Sequence, residues 1–147
     1  MLEGTVKRWH PPQDLAERPV SLFDLTWQGS KMRLLATVEF ATDAGEGETG
    51  SDAILVFENV FAFQVFEESM ELTRLTGNDA ALLRQPYPYG GVWPFFEIHD
   101  SQWIDQLVEC DGGWNASSFR HFIISARNMH VHVATMASTE PTFYLSA

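Results

Sequence analysis

The sequence predicts an α+β domain: a largely antiparallel, twisted β-sheet of about six strands with one amphipathic helix packed on one face. Three observations predict it. Apolar and polar residues alternate with period two from Ser21 to Phe40 and again from Phe119 to Thr135. The stretch AILVFENVFAFQVFE, Ala53 to Glu67, is dense in β-branched and aromatic residues. A single helical stripe lies between Ser101 and Cys110, stopped by Gly112 and Gly113.

The elements follow in order. The opening residues, to about Pro19, are polar and broken by Pro11, Pro12 and Pro19. They read as an irregular arm (residues 1–19) with one helical turn at Asp14 to Arg18. Ser21–Gln28 and Lys31–Phe40 flank Gly29-Ser30, a two-residue hairpin loop of the glycine-first kind. That loop sets Trp27 opposite Met32, Leu25 opposite Leu34 and Phe23 opposite Ala36. Residues 42–52, TDAGEGETGSD, bury nothing and read as a mobile acidic loop. Ala53 to Glu67 follows as a strand region near the centre of the sheet, with a turn or bulge at Glu58-Asn59. MELTRLT reads as a short strand and DAALLRQ as a short helix. PYPYGGVWPFFEI reads as a loop through Gly91 and a strand from about Val92 to Ile98. The helix is Ser101 to Cys110, capped by Asp100 or Ser101, with Trp103, Ile104, Leu107 and Val108 inward. A hairpin from Phe119 to Thr135 and an edge strand at Pro141 to Leu145 complete a single domain over residues 1–147.

The last hairpin, RHFIISARNMHVHV, carries the chemistry-bearing residues. Arg127-Asn128 forms its loop, because asparagine tolerates positive φ. The register pairs Ala126 with Met129, Ile124 with Val131 and Phe122 with Val133, all apolar and on the core face. On the other face His130 lies opposite Ser125, His132 opposite Ile123 and His121 opposite Ala134. His130 and His132 point the same way with Cβ atoms roughly 6.5–7 Å apart. That spacing admits two ligands to one metal, but a site needs a third ligand and supporting partners. Ser125 and Ile123 supply none, and His99 or Glu97 would reach in only from an adjacent strand. The pair therefore reads as a half-exposed sheet surface. No metal and no cofactor are expected, and a metal-binding or hydrolytic enzyme using His130 and His132 is the alternative.

Other candidates point less far. Cys110 ends a helix, where the dipole and Glu109 and Asp111 oppose a thiolate, so it is not a nucleophile. Glu97 and His99 share a strand face and could pair as acid and base, though polar alternation alone explains them. Glu67, Glu68 and Glu71 read as a solvated strand end. No phosphate-binding glycine loop, serine elbow or H-E-x-x-H motif occurs.

The charge is informative. Nine Lys and Arg stand against twenty Asp and Glu, a net −11. Between Arg33 and Arg74 there is no base but nine acids. Such a field repels phosphate backbones and disfavours nucleic acid, while attracting a basic protein; solubility alone is the plainer account. The acids of the loop (Asp43, Glu46, Glu48 and Asp52) and the aromatics Tyr87 and Tyr89 are the expected partner-binding residues. A pocket for a small ligand, lined by Trp93, Phe95, Trp103 and Trp114, is a further alternative. One cysteine permits no internal disulfide, and no leader-like or membrane-spanning apolar run is seen. A cytoplasmic location and no membrane partner are expected.

LVFENVFAF at Leu55 to Phe63, the Trp103 helix and the RHFIISARNMHVHV hairpin resemble small acidic bacterial α+β proteins of uncharacterised or immunity-like function. The resemblance covers about half the chain, and its motifs are hydrophobic patterns without chemistry. It implies a compact α+β domain and a non-enzymatic, protein-binding role such as an immunity-type inhibitor of a basic toxin.

Overall fold

The period-two segments become antiparallel strands, but the computed structural model divides them between two sheets where one was expected. It describes residues 3–12, 18–40, 52–67, 75–84, 93–127 and 129–145. The strands are β1 (Gly4–Arg8), β2 (Val20–Gln28), β3 (Arg33–Phe40), β4 (Asp52–Phe57), β5 (Val60–Glu67), β6 (Leu75–Thr76), β7 (Phe95–His99), β8 (Phe119–Ser125), β9 (Met129–Met136) and β10 (Thr142–Leu145). Helix α1 is Ala80–Arg84 and helix α2 is Gln102–Asp111. Six strands form one sheet in the order β5-β9-β8-β7-β1-β6, and four form a second in the order β10-β4-β3-β2.

The reason for two sheets lies in the burial. Leu34, Ala36, Val38, Leu55 and Phe57 of the smaller sheet share one core with Phe95, Phe122, Ile124 and Val133 of the larger. Ring contacts cross between the layers at Phe40–Phe95, Phe57–Phe122 and Phe95–Phe143. A single sheet could not cover that much apolar surface on one face. The expected turn at Glu58-Asn59 is where the chain changes sheet. Asn59 takes φ 51°, and β4 and β5 on either side belong to different sheets. β5 is thus an edge strand and not a central one. Its residues are apolar on both faces because one faces the second sheet and the other meets Phe119, Trp114 and His132.

The first hairpin departs from the expected register. Gly29–Lys31 form a 3-10 turn and Met32 takes a left-handed φ of 48°. Trp27 therefore pairs with Leu34 and Leu25 with Ala36. A shift of two leaves the inward set of β3 unchanged, so Leu34, Ala36 and Val38 are fully buried as expected. A bulge between Leu22 and Asp24 turns Phe23 outward, 76% exposed, and Leu22 inward.

The arm is not irregular throughout: β1 pairs antiparallel with β7 and parallel with β6. Gly4 permits this, since a Cβ there would collide with Ile98 Cγ2 and lie 2.9 Å from the His99 carbonyl oxygen. Asp52 belongs to β4, opposite Glu39, not to a loop. Asp43, Glu46, Glu48, Tyr87 and Tyr89, the helical turn expected near Asp14, and Glu68 and Glu71 lie outside the described residues.

Helix α2 forms as its sequence requires. Ser101 is the N-cap, its Oγ accepting from the Ile104 N–H at 3.2 Å, and Gly112 closes the helix at φ 70°. Ile104 is buried, with Trp103, Leu107 and Val108 packed around it against Phe119 and Ala134 of the larger sheet. No helix among the described residues is long and apolar enough to cross a membrane.

Candidate functional site

The last hairpin has the register its loop dictates. His121 pairs with Ala134, Phe122 with Val133, Ile123 with His132, Ile124 with Val131 and Ser125 with His130. Ala126 N–H donates to Met129 O across Arg127-Asn128 at 3.0 Å. The histidine face is not half-exposed, however. His121, Ile123, Ser125, His130, His132 and Ala134 are all buried. Helix α2 lies over this face, with the Trp103 ring 4.7 Å from His121 and 6.1 Å from His132. The Phe66 ring stands edge-on to His132 at 4.9 Å.

Burial forces the polar atoms to find one another. Ser101 Oγ lies 2.7 Å from His121 Nδ1, and His121 Nε2 lies 2.9 Å from His132 Nδ1. The helix cap is thereby tied through two imidazoles to the middle of β9. The three groups form one chain that can run in either direction: Ser101 donates to His121 Nδ1 and His121 Nε2–H to His132 Nδ1, or His132 Nδ1–H donates to His121 Nε2 and His121 Nδ1–H to Ser101 Oγ. His132 Nε2 has no hydrogen-bond partner among the described residues. Burial holds His121 well below the ordinary histidine range, with His132 beside it acting in the same direction. Burial, then the neighbouring His130, lowers His132 to about 3. Both imidazoles are neutral at pH 7.

Toward solvent from this row lies a cleft of about 460 Å³, where β7 leads into α2 and a 3-10 turn leads into β8. Glu97, Asp100, Ser101, Asp105, Arg120 and His121 supply its chemistry. Arg120 is already committed. Its Nε and Nη2 donate to the two Glu97 oxygens at 2.8 and 2.9 Å, its Nη1 donates to Glu140, and its guanidinium sits 4.8 Å from the Phe122 ring. The Glu97 hydrogen bonds raise Arg120 above its ordinary value against the opposing effect of burial. Burial would raise Glu140, but hydrogen bonds from Arg120 and Trp9 outweigh it and hold the carboxyl below its ordinary range. Glu97 thus anchors Arg120, while His99 stands 3.9 Å away. Three amides of the α2 N-terminus are occupied too: Gln102 N–H donates to Glu3 O, Ile104 N–H to Ser101 Oγ and Asp105 N–H to Ser101 O. Asp100, in a left-handed φ of 53°, stands directly before the cap. The cleft therefore presents carboxylate, with its one guanidinium paired.

The other expected sites do not assemble. Trp93 and Phe95 are buried in the core shared by the two sheets, Trp103 covers the histidines on the opposite face, and Trp114 is 48% exposed against Phe61 and Phe119. They line no common pocket. Glu97 pairs with Phe122, on the face away from His121 and His132, and both its oxygens accept from Arg120. Among the described residues no three His, Cys, Asp or Glu side chains are grouped to hold a metal ion. Cys110 is a free, exposed thiol on α2.

Ser101→Ala is expected to cost about 2–4 kcal/mol, from a lost cap of about 1 kcal/mol and an orphaned imidazole nitrogen worth about 1–3 kcal/mol. A urea denaturation series checks it; an unchanged midpoint would mean the Ser101–His121 bond is not formed.

Comparison of the chain with family models, curated proteins and solved structures finds no match in any of the three.

Proposed function

We propose that the protein is a non-enzymatic binding domain for a basic partner, engaged through acidic surface that includes the cleft at the start of α2. The observation that carries this reading is the cleft's charge. Asp100 and Asp105 stand on a chain of net charge −11, beside an arginine already held by Glu97 and Glu140. A lysine or guanidinium of a partner would find carboxylate there, beside a committed arginine and the His99 imidazole. An immunity-type inhibitor of a basic protein is the particular form of this role that the sequence resemblance implies.

A hydrolytic reading has one observation in its favour, the 2.7 Å contact between a hydroxyl and an imidazole. Its chemistry fails at the third member. A hydrolytic triad needs a group that stabilises the imidazolium, usually a carboxylate. His132 offers a neutral, desolvated ring, and Ser101 Oγ is also the helix cap. The arrangement suits a fixed neutral network.

The test is binding to a lysine-rich peptide, and to any partner recovered by pull-down, with rates measured across a salt series. Asp100→Asn with Asp105→Asn removes two charges, and asparagine tolerates the left-handed backbone at 100. Association is expected to slow several-fold and lose salt dependence, with dissociation changing less, because screened attraction over roughly 8 Å acts mainly on encounter. A partner that is itself acidic, or rates indifferent to salt, would leave the charge with solubility alone.

A further inference from the structure

We infer that the β2/β5 side of the sandwich is a self-association surface, on which two copies of this chain pair their β5 edges antiparallel about a two-fold axis. The two layers do not close there. Phe63 and Val65 sit opposite Val133 and Val131, so they face the core side of the larger sheet, yet Val65 is 42% exposed. Across the opening Trp27 is 43% exposed, its ring 5.2 Å from that of Phe63, and Met32 is 49% exposed.

The four sheet edges differ in a way that singles out β5. β6 has two residues and β10 has four, and short edges offer little to pair with. β2 is interrupted by its bulge and carries Asp24. The start of β5 is also taken up, by a register shift and by the Val60 N–H donating to Met32 O at 2.9 Å, but the strand runs regularly from Ala62 to Glu67, and Ala62 to Phe66 holds no proline, lysine or other charge. Its outer edge has no strand partner among the described residues. An unblunted edge beside exposed apolar side chains is the pattern that adds a strand.

Charge selects the occupant. A basic partner is drawn by carboxylates, and this strip has none between Asn59 and Phe66. On a chain of net −11 it is a place where a second copy brings no like charges into register. The same strip on both copies meets itself, as a two-fold interface requires.

Sedimentation equilibrium over a concentration and salt series tests this. A dimer is expected that tightens several-fold as salt rises, because screening weakens the repulsion between two acidic copies. That is the opposite of the salt response of a basic partner. Val65→Lys should weaken the dimer about tenfold or more by setting an ammonium in the apolar strip, while the far-ultraviolet circular dichroism of the monomer is retained. Leu145→Lys, on the β10 edge and 43% exposed, should leave the dimer intact. A monomer at every concentration, a dimer indifferent to Val65→Lys, or one broken by Leu145→Lys would overturn the assignment.

Discussion

Lowering the pH from about 7 to about 4.5 is expected to remove about 3 kcal/mol of folding stability through His132 alone, with His121 adding to the loss in the same direction. The sign follows from where the protons bind. In the unfolded chain both imidazoles titrate near 6.5, but in the folded protein burial keeps His121 neutral far below that and holds His132 at about 3. Below pH ~6.5 the unfolded state therefore binds protons that the folded state refuses, and stability falls by about 1.4 kcal/mol per pH unit for His132, with His121 steepening the fall. The loss continues until the folded values are reached. Two units suffice to threaten a domain whose whole stability is of the order of 5–15 kcal/mol. Glu140 is held low by Arg120 and Trp9 and adds to acid lability at lower pH, so the window from about 6 to 5 isolates the histidines. Urea midpoints across that window check the slope, and His132→Gln should make it shallower. A flat profile would mean that both imidazoles are reached by water or a proton.

The second large effect concerns the two faces of β8. Ile124→Ala and Ile123→Ala are each expected to cost about 2–5 kcal/mol, the range for truncating a buried aliphatic side chain. The two residues point in opposite directions, and each is 1% exposed. Ile124 belongs to the core between the sheets, Ile123 to the layer on the histidine side. If the histidine side were an ordinary half-exposed surface, Ile123→Ala would cost little while Ile124→Ala remained expensive. Equilibrium denaturation of both variants separates the cases.

Local order was legible in the residues, and long-range placement was not. Arg127-Asn128 dictates a two-residue loop, and every pair from His121–Ala134 to Ser125–His130 follows from it. Ser101 and Gly112 mark the helix ends because capping is a short-range matter. Gly29-Ser30 misleads, since Met32 takes a left-handed conformation that a methionine rarely signals, and the loop lengthens. The short strand at Gly4 to Arg8 carries two bases and one inward valine, too little pattern to reveal a strand whose place is set by the close fit of Gly4 on Ile98. The site shows the same division. His121 and His132 were correctly placed on one face, but nothing in sequence says that α2 folds over them. Ser101 is twenty residues from His121, and Arg120 is twenty-three from Glu97 and twenty from Glu140. Such pairs have no period and no motif. The one available hint was that His121, Ile123, Ser125 and His132 alternate with core residues while including no charge, which is how a strand buried on both faces reads.

The histidine row is a neutral, hydrogen-bonded strut between α2 and the sheet, and the acidic cleft beside it is the surface we propose for a basic partner. Nitrogen-15 correlation spectra of the imidazoles, recorded from about pH 8 to about pH 4.5, address this most directly. His121 and His132 are expected to remain neutral throughout, both protonated on Nε2 or both on Nδ1. Titration of His121 or His132 near 6.5, or a proton on Nδ1 of one ring and Nε2 of the other, would contradict the strut and return these residues to the candidates for chemistry.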